Sequence, residues 1–137
     1  MASSAHRYLL DTDVLSHLIR NPAGPIRERI IQAGPETICT SVIVAGELRF
    51  GSRKRNSPRL TRQVNAVLAA LDILPLGQQV DEAYGAVRQE LEQAGTMIGP
   101  NDLWIAAHAR ALGLIVATGN SAEYSRVRRL KVENWLQ

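Results

Sequence analysis

The chain alternates between two hydrophobic rhythms. Tyr8-Leu9-Leu10 is a short apolar run that stops at Asp11, as a buried strand does. Val14, Leu15, Leu18 and Ile19 then recur at helical spacing until Asn21, Pro22, Gly24 and Pro25 interrupt them. Ile26, Ile30 and Ile31 predict the apolar side of a second short helix, and Gly34-Pro35 is the next break. Thr37 to Thr40 is β-prone, and Ser41 is placed to cap a helix carrying Val42, Ala45, Leu48 and Phe50. Pro58 suits the first turn of a further helix, with Leu60, Val64, Val67, Leu68 and Leu71 on one face. Ile73 to Leu76 reads as a short strand, and Pro75 puts it at a sheet edge or a strand end. Val80, Ala83, Tyr84, Val87, Leu91 and Ala94 predict a long amphipathic helix closed by Gly95. After a Gly-Pro-Asn turn, Asp102 opens another helix that ends at Gly113. The apolar strand Leu114 to Ala117 runs into Thr118-Gly119-Asn120. Residues 121–129 read as a loop or short helix, and Lys131-Val132-Glu133 as a last strand ahead of Trp135.

Strands that alternate with helices throughout predict an α/β fold, a mainly parallel sheet covered by helices on both faces. No repeat or linker divides the chain, so residues 1–137 are expected to form a single domain. With 45% hydrophobic residues, a packed core is expected and wholesale disorder is not. The apolar run near the N-terminus is too short for a secretory signal, and no stretch approaches the ~20 apolar residues of a membrane span. Cys39 is the only cysteine, which excludes intramolecular disulfides and thiolate metal cages and fits a cytoplasmic protein.

Charge changes this picture at a few positions. The formal net charge is only +3, but Arg49, Arg53, Lys54, Arg55, Arg59 and Arg62 fall in one segment. Arg126, Arg128, Arg129 and Lys131 fall in another. Such clusters either track phosphates or form solvated helical faces. Acidic residues show the opposite pattern. Asp11 and Asp13 are the only charges from Tyr8 to Ile19, and Glu47 is the only one from Thr37 to Leu48. Asp102 is the only charged residue between Glu92 and Arg110. Burying an unpaired carboxylate is expensive, so each needs a partner, a capping role or a cation. Asp11 or Asp13 could cap the following helix, Glu47 could be a surface residue beside Arg49, and Asp102 could favour a helix dipole after Asn101.

Taken jointly, the acids suggest a site. Ligands of an open parallel sheet bind outside the carboxyl ends of its strands. Asp11 lies at such an end, Glu47 follows one, and Thr118 to Asn120 form another. For Asp102 to reach that edge, the loop before it must fold over. Carboxylates gathered there repel one another and raise one another's pKa values, and a divalent cation removes that penalty. All-oxygen ligands favour magnesium or manganese over zinc.

Four stretches in this order and spacing resemble the PIN-domain ribonucleases, and within them the VapC-type toxins of bacterial toxin–antitoxin pairs. They are Leu9 to Asp13; Thr40-Ser41-Val42 through Glu47-Leu48 to Gly51; Gly99 to Ala109; and Thr118-Gly119-Asn120 with Glu123-Tyr124. Val132 to Trp135 is similar to the end of such toxins. The resemblance implies a three-layer α/β/α sandwich and a magnesium- or manganese-dependent endoribonuclease, usually a homodimer. A small VapB-type antitoxin would inhibit it by covering the groove. It implies that Asp11, Glu47 and Asp102 carry the metal, and that Thr118 and Asn120 hold the attacking water or an outer ligand. Asn101 and Ser41 would be support residues, and Arg49, Arg53, Lys54 and Arg55 would grip RNA. Details around Thr96, Ile98-Gly99 and Ala106 to Ala109 resemble toxins that cut initiator tRNA in the anticodon loop.

The chain departs from the family pattern at two places. Many PIN domains place a fourth acid where this chain has Asn120, and Asp13 replaces an Asn common in these toxins. Glu123, close to the gap left by Asn120, either compensates for it or is a surface charge paired to Arg126, and the surface pairing is the first expectation. Asp13 either contacts metal through water or caps a helix. Two alternatives compete with the nuclease reading. Leu10 to Asp13 also resembles the strand end of haloacid-dehalogenase phosphohydrolases, with Asp11 as nucleophile. The chain has only two lysines, Lys54 and Lys131, neither in a suitable setting for that chemistry. A non-catalytic RNA-binding protein on the same fold is the other alternative, and Asn120 supports it. His17 and His108 lack ligand spacing, Cys39 is expected to be buried and inert, and Trp104 reads as core or interface. Aromatics at 4% leave little for base stacking, so RNA contact would rest on arginines.

Overall fold

The computed structural model describes residues 5–137. The expectation that no secretory signal opens the chain falls partly on residues 1–4, which lie outside the described residues. Five strands form one sheet: β1 (Tyr8–Leu10), β2 (Ile38–Ser41), β3 (Asp72–Leu74), β4 (Ile115–Thr118) and β5 (Lys131–Asn134). Their order is β3-β2-β1-β4-β5, and every pairing is parallel. Parallel neighbours cannot be joined by a tight turn, so helices fill the crossovers. These are α1 (Thr12–Arg20), α2 (Pro25–Ala33), α3 (Val42–Arg55), α4 (Pro58–Ala69), α5 (Gln78–Ala94), α6 (Pro100–Leu112) and α7 (Ser121–Tyr124). The architecture is the expected three-layer α/β/α sandwich.

Local chemistry sets the element ends. Asp11, Ser41 and Ser57 cap α1, α3 and α4, each accepting a backbone N–H with its side chain. Gly95 and Gly113 close α5 and α6 with φ near +67° and +69°, a conformation that costs glycine nothing. Leu9, Leu10, Val116 and Ala117, from the two central strands, are fully buried. β3 is an edge strand that ends just before Pro75, in keeping with that residue's missing N–H.

Three apolar residues assigned to buried faces point to solvent instead. Ile31 is half exposed, because it lies ~140° around α2 from the buried Ile26 at 100° per residue. Phe50 is 65% exposed, since it sits ~200° from Leu48 on α3, and Val42 is also exposed. Element boundaries shift by one or two residues. β4 includes Thr118, and α6 starts at Pro100, so Asp102 stands inside its first turn.

The topology locates the crevice. From central β1 the chain winds through β2 to β3 on one side, then crosses to β4 and β5 on the other. The switch point between β1 and β4 is where open α/β sheets bind ligands. Asp11 lies there, its N–H donating to the Ala117 carbonyl at 3.1 Å.

Candidate functional site

Asp11 is 4% exposed, at the junction of β1 and α1. Its Oδ1 accepts the Val14 N–H at 3.0 Å, and its Oδ2 accepts the Thr118 hydroxyl at 2.5 Å. The capping role and the site role are therefore held by the same carboxylate. Burial pushes its pKa up to about 7, against those two hydrogen bonds, and the charges of Asp13 and Asp102 add to the rise. Thr118 in turn accepts the Asn120 N–H at 2.8 Å, so strand, hydroxyl and carboxylate form one tethered unit.

Asp102 enters from the first turn of α6. Its Oδ1 accepts the buried Tyr124 hydroxyl at 3.0 Å. Burial pushes its pKa up to about 6, and the Glu123 carboxyl, which abuts it, adds to the rise. The expected pairing of Glu123 with Arg126 is absent. Glu123 turns toward Asp102, its Oε1 buried without a hydrogen-bond partner, while Arg126 donates to the Met97 carbonyl at 3.0 Å. The four-residue α7 explains this, since it seats Tyr124 in the core and carries Glu123 in with it.

Glu47 reaches the edge from the second turn of α3. The Thr12 hydroxyl donates to its Oε1, and the Asn101 amide donates to its Oε2 at 3.0 Å. Asp13, on the first turn of α1, has its pKa raised by partial desolvation of its carboxyl and then by the charges of Asp102 and Glu47, against that of Arg20. The structure thus brings Asp11, Asp13, Glu47, Asp102, Thr118 and Asn101 to one edge. Asn120 contributes its backbone N–H, while its side chain is exposed and makes no hydrogen bond. Ser41 lies behind the edge, where its Oγ caps α3 and pairs with the buried His108 Nδ1 at 2.9 Å.

Thr12 and Tyr124 hold two of the acids, although the sequence suggested no role for either. A hydroxyl beside an isolated carboxylate was the available signal for Thr12. Tyr124 has no local signal, because its partner lies 22 residues away.

Among the described residues no basic side chain pairs with these acids, and the Arg20 charge acts only on Asp13, from a distance. Among the described residues the ion pairs are His6–Asp72, Arg88–Glu92 and Arg110–Glu90, all elsewhere. Nor do any three His, Cys, Asp or Glu side chains of the described residues form a ready metal cage. What fits is a hard cation that retains several waters and takes only a few carboxylates. The abutting Asp102 and Glu123 carboxyls and the orphaned Glu123 oxygen are an arrangement that such a cation would relieve.

A groove of about 330 Å³ runs from Glu47 and Thr12 past Arg20 and Arg55 to Leu60 and Val64. The basic residues divide around it. Arg55 lines this groove, Arg49 and Arg53 line a second cleft, and Lys54 lines neither. Burial pushes the Cys39 thiol up to about 12, which makes it inert as expected. Trp104 stacks on Tyr84 at 3.9 Å between ring centres and is half-buried.

Comparison with known proteins gives the family of the chain and relatives of its fold. The family model described as PIN domain matches residues 8–130. Ribonuclease VapC2 of Haemophilus influenzae is 35% identical, over 95% of this chain and 98% of its own. A protein of Shigella flexneri named tRNA(fMet)-specific endonuclease VapC is 32% identical over 94% and 98%. In a crystal structure of VapBC2 from Rickettsia felis bound to a promoter DNA fragment, the matching chain is 32% identical. It superposes with a TM-score of 0.88 over 93% of this chain and 98% of its own.

Proposed function

The chain belongs to the PIN-domain family, among its VapC-type ribonucleases, and from that premise we propose that it is the toxin of a toxin–antitoxin pair. It is an endoribonuclease that hydrolyses RNA phosphodiesters to 5′-phosphate and 3′-hydroxyl ends. Its substrate is tRNA, with the anticodon loop of initiator tRNA the first site to test, as the name of the Shigella relative suggests. A VapB-type antitoxin restrains it, in line with the VapBC complexes it resembles. The working form is a cytoplasmic homodimer of single-domain chains. No described helix is long and apolar enough to cross a membrane. The family match leaves no place for the haloacid-dehalogenase alternative.

The observation that supports this reading is a set of acids at the β1–β4 switch point with no basic partner. Asp11, Asp102 and Glu47 would hold a magnesium or manganese ion, with Asp13 and Glu123 nearby. Glu123 supplies the negative charge that is missing at Asn120. When bound, the ion supplies Lewis-acid stabilisation of phosphoryl charge and lowers the pKa of water.

The protein's own residues supply position and polarity. The Thr118 hydroxyl fixes one Asp11 oxygen and the Val14 N–H the other, and each oxygen keeps a further lone pair. Tyr124 fixes Asp102, and Thr12 and Asn101 fix both Glu47 oxygens. A carboxylate here can take a proton from water attacking phosphorus in line with the 3′ oxygen, which takes up a proton from solvent as its bond to phosphorus breaks, so no covalent enzyme intermediate is needed. Arg55 and Arg20, along the groove from Glu47, are placed to meet the neighbouring phosphates.

The test is to incubate the purified, antitoxin-free protein with total RNA and manganese, map new 5′ ends, and run Asp11→Asn beside it. Discrete 5′-phosphate ends within a tRNA, lost in the variant, are expected. A folded Asp11→Asn or Asp102→Asn protein with full activity would overturn the scheme. Retained RNA binding without cleavage under either metal would favour the non-catalytic alternative.

A further inference from the structure

Beyond Glu47, α3 becomes basic and then turns back into α4 through Asn56 and Ser57. Between the two helices lies a cleft of about 640 Å³ whose lining includes Arg49, Arg53, Asn56, Thr61, Arg62 and Asn65. Arg49 is oriented by the Asn65 side chain, donating to its Oδ1 at 2.8 Å. Arg49 and Arg53 are an i,i+4 like-charge pair, which an isolated helix disfavours. Arg62 brings a third guanidinium from α4. Among the described residues, none of the three has a carboxylate within ion-pair distance.

The lining contains no acid, and apart from Pro58 nothing apolar. It is set apart from the groove beside Glu47, which includes Ile19, Leu48, Leu60 and Val64. The two concavities share Ser52. From Glu47 to Arg53 is six residues, about 9 Å along the helix at ~1.5 Å per residue. Ser52 itself is buried, so a chain bound at the acid edge reaches the cleft across the exposed side of α3, past Gly46 and Phe50.

We propose that the α3–α4 cleft is a second anion subsite, which binds the phosphodiester backbone of the RNA substrate beside the cut. This rests on the reading that the substrate is RNA. Planar guanidinium groups suit phosphate oxygens, and the side-chain amides and hydroxyls add donors. An amphipathic peptide would need apolar anchoring, which the lining does not provide. The subsite adds Arg62 to Arg49 and Arg53 of the four residues expected to grip RNA, and excludes Lys54 and Arg55.

Binding is best measured in the Asp11→Asn protein, which does not consume the probe. The probe is an unstructured single-stranded RNA oligonucleotide, titrated across a salt series. Arg53→Gln/Arg62→Gln should weaken its Kd about tenfold. The slope of log Kd against log salt should fall by about 1.4, two contacts at about 0.7 each. A charge-matched control, Arg27→Gln/Lys131→Gln, removes two exposed positive charges outside both grooves and should change the slope much less. Thermal melts check that both variants fold, and Arg62→Gln alone should show about half the slope change. A cleft variant no weaker than the control overturns the proposal. Unchanged RNA binding with lost binding of poly-glutamate also overturns it, and makes the cleft a protein-docking surface. If the wild type cuts no RNA, the nuclease reading fails, while the binding data still decide the cleft.

Discussion

Asp11 carries two duties that pull in different directions. As a helix cap it needs only an acceptor oxygen, but as a site residue it needs charge. Asn is among the best capping residues, so Asp11→Asn keeps the first duty and removes the second. It should abolish cleavage yet leave the melting temperature of the metal-free protein unchanged or raised, because a desolvated charge is gone. Activity on mapped RNA and a thermal melt, run together, check both halves. Thr118 tests the layer behind. Thr118→Val removes the donor to Asp11 Oδ2 without changing size. Cleavage should fall roughly 10–100-fold, as for other outer-shell partners of a metal site, and Thr118→Ser should restore most of it. Equal activity of the Val variant would mean that this hydroxyl does not position Asp11.

At the scale of elements, two junctions hold the edge in shape. The β4–α7 turn passes close beneath Leu136, and a β-carbon on Gly119 would collide with that side chain. Leu136 is 39% exposed and can swing aside, so Gly119→Ala should cost at most about 1 kcal/mol of stability. Gly119→Ala/Leu136→Ala should cost less than the sum of the two single changes, as chemical denaturation would show. The second junction is His108, buried on α6 and paired through Nδ1 with Ser41 at the end of β2. Its Nε2 lies against the backbone of Pro75 without a hydrogen bond of good geometry. Burial lowers its pKa below the ordinary histidine value of 6.5. The unfolded chain thus binds this proton more readily than the folded one. Its contribution to stability is complete above about pH 6.5 and is lost as pH falls below that value. Melting temperatures between pH 7 and 5 should fall more steeply for the wild type than for His108→Asn, and parallel curves would remove the assignment.

For the whole molecule, winding order matters more than any single contact. The chain leaves β1 in one direction and returns to its other side as β4, so the ends of β1 and β4 share a crevice with the first turns of α1 and α6. Acids from four separate stretches meet there, and among the described residues none has a basic side chain within ion-pair distance. The metal-free protein is therefore held with uncompensated charge, and a cation that binds only the folded state must stabilise it. Manganese at a hundred times its dissociation constant should add about 2.7 kcal/mol. EDTA should reverse the gain, and Asp102→Asn should show little of it. A wild-type melt indifferent to manganese would count against the proposed ion.

Local pattern made most of the fold legible. Strand and helix periodicities read true wherever one face is buried, and Gly95 and Gly113 close their helices as expected because a left-handed cap is a property of the residue itself. Phe50 and Ile31 misled because hydrophobicity alone does not say which side of a short helix faces the core. Asp11, Glu47 and Asp102 stood out because each is alone in apolar sequence, where a solvated charge is out of place. Glu123 and Tyr124 entered only through the family resemblance, and Arg62 only as one of a basic run. Glu123 has Arg126 three residues away as an obvious local partner, and only the docking of α7 turns it toward Asp102. Tyr124 looks like any core aromatic until the fold aims its hydroxyl. Arg62 is one of many exposed arginines until α4 turns back beside α3. The sequence alone therefore determined the elements, their caps and the isolated acids, since these depend on neighbours within a few positions. Which charges face one another was decided by tertiary structure, because that depends on how crossovers bring distant residues within a few ångströms.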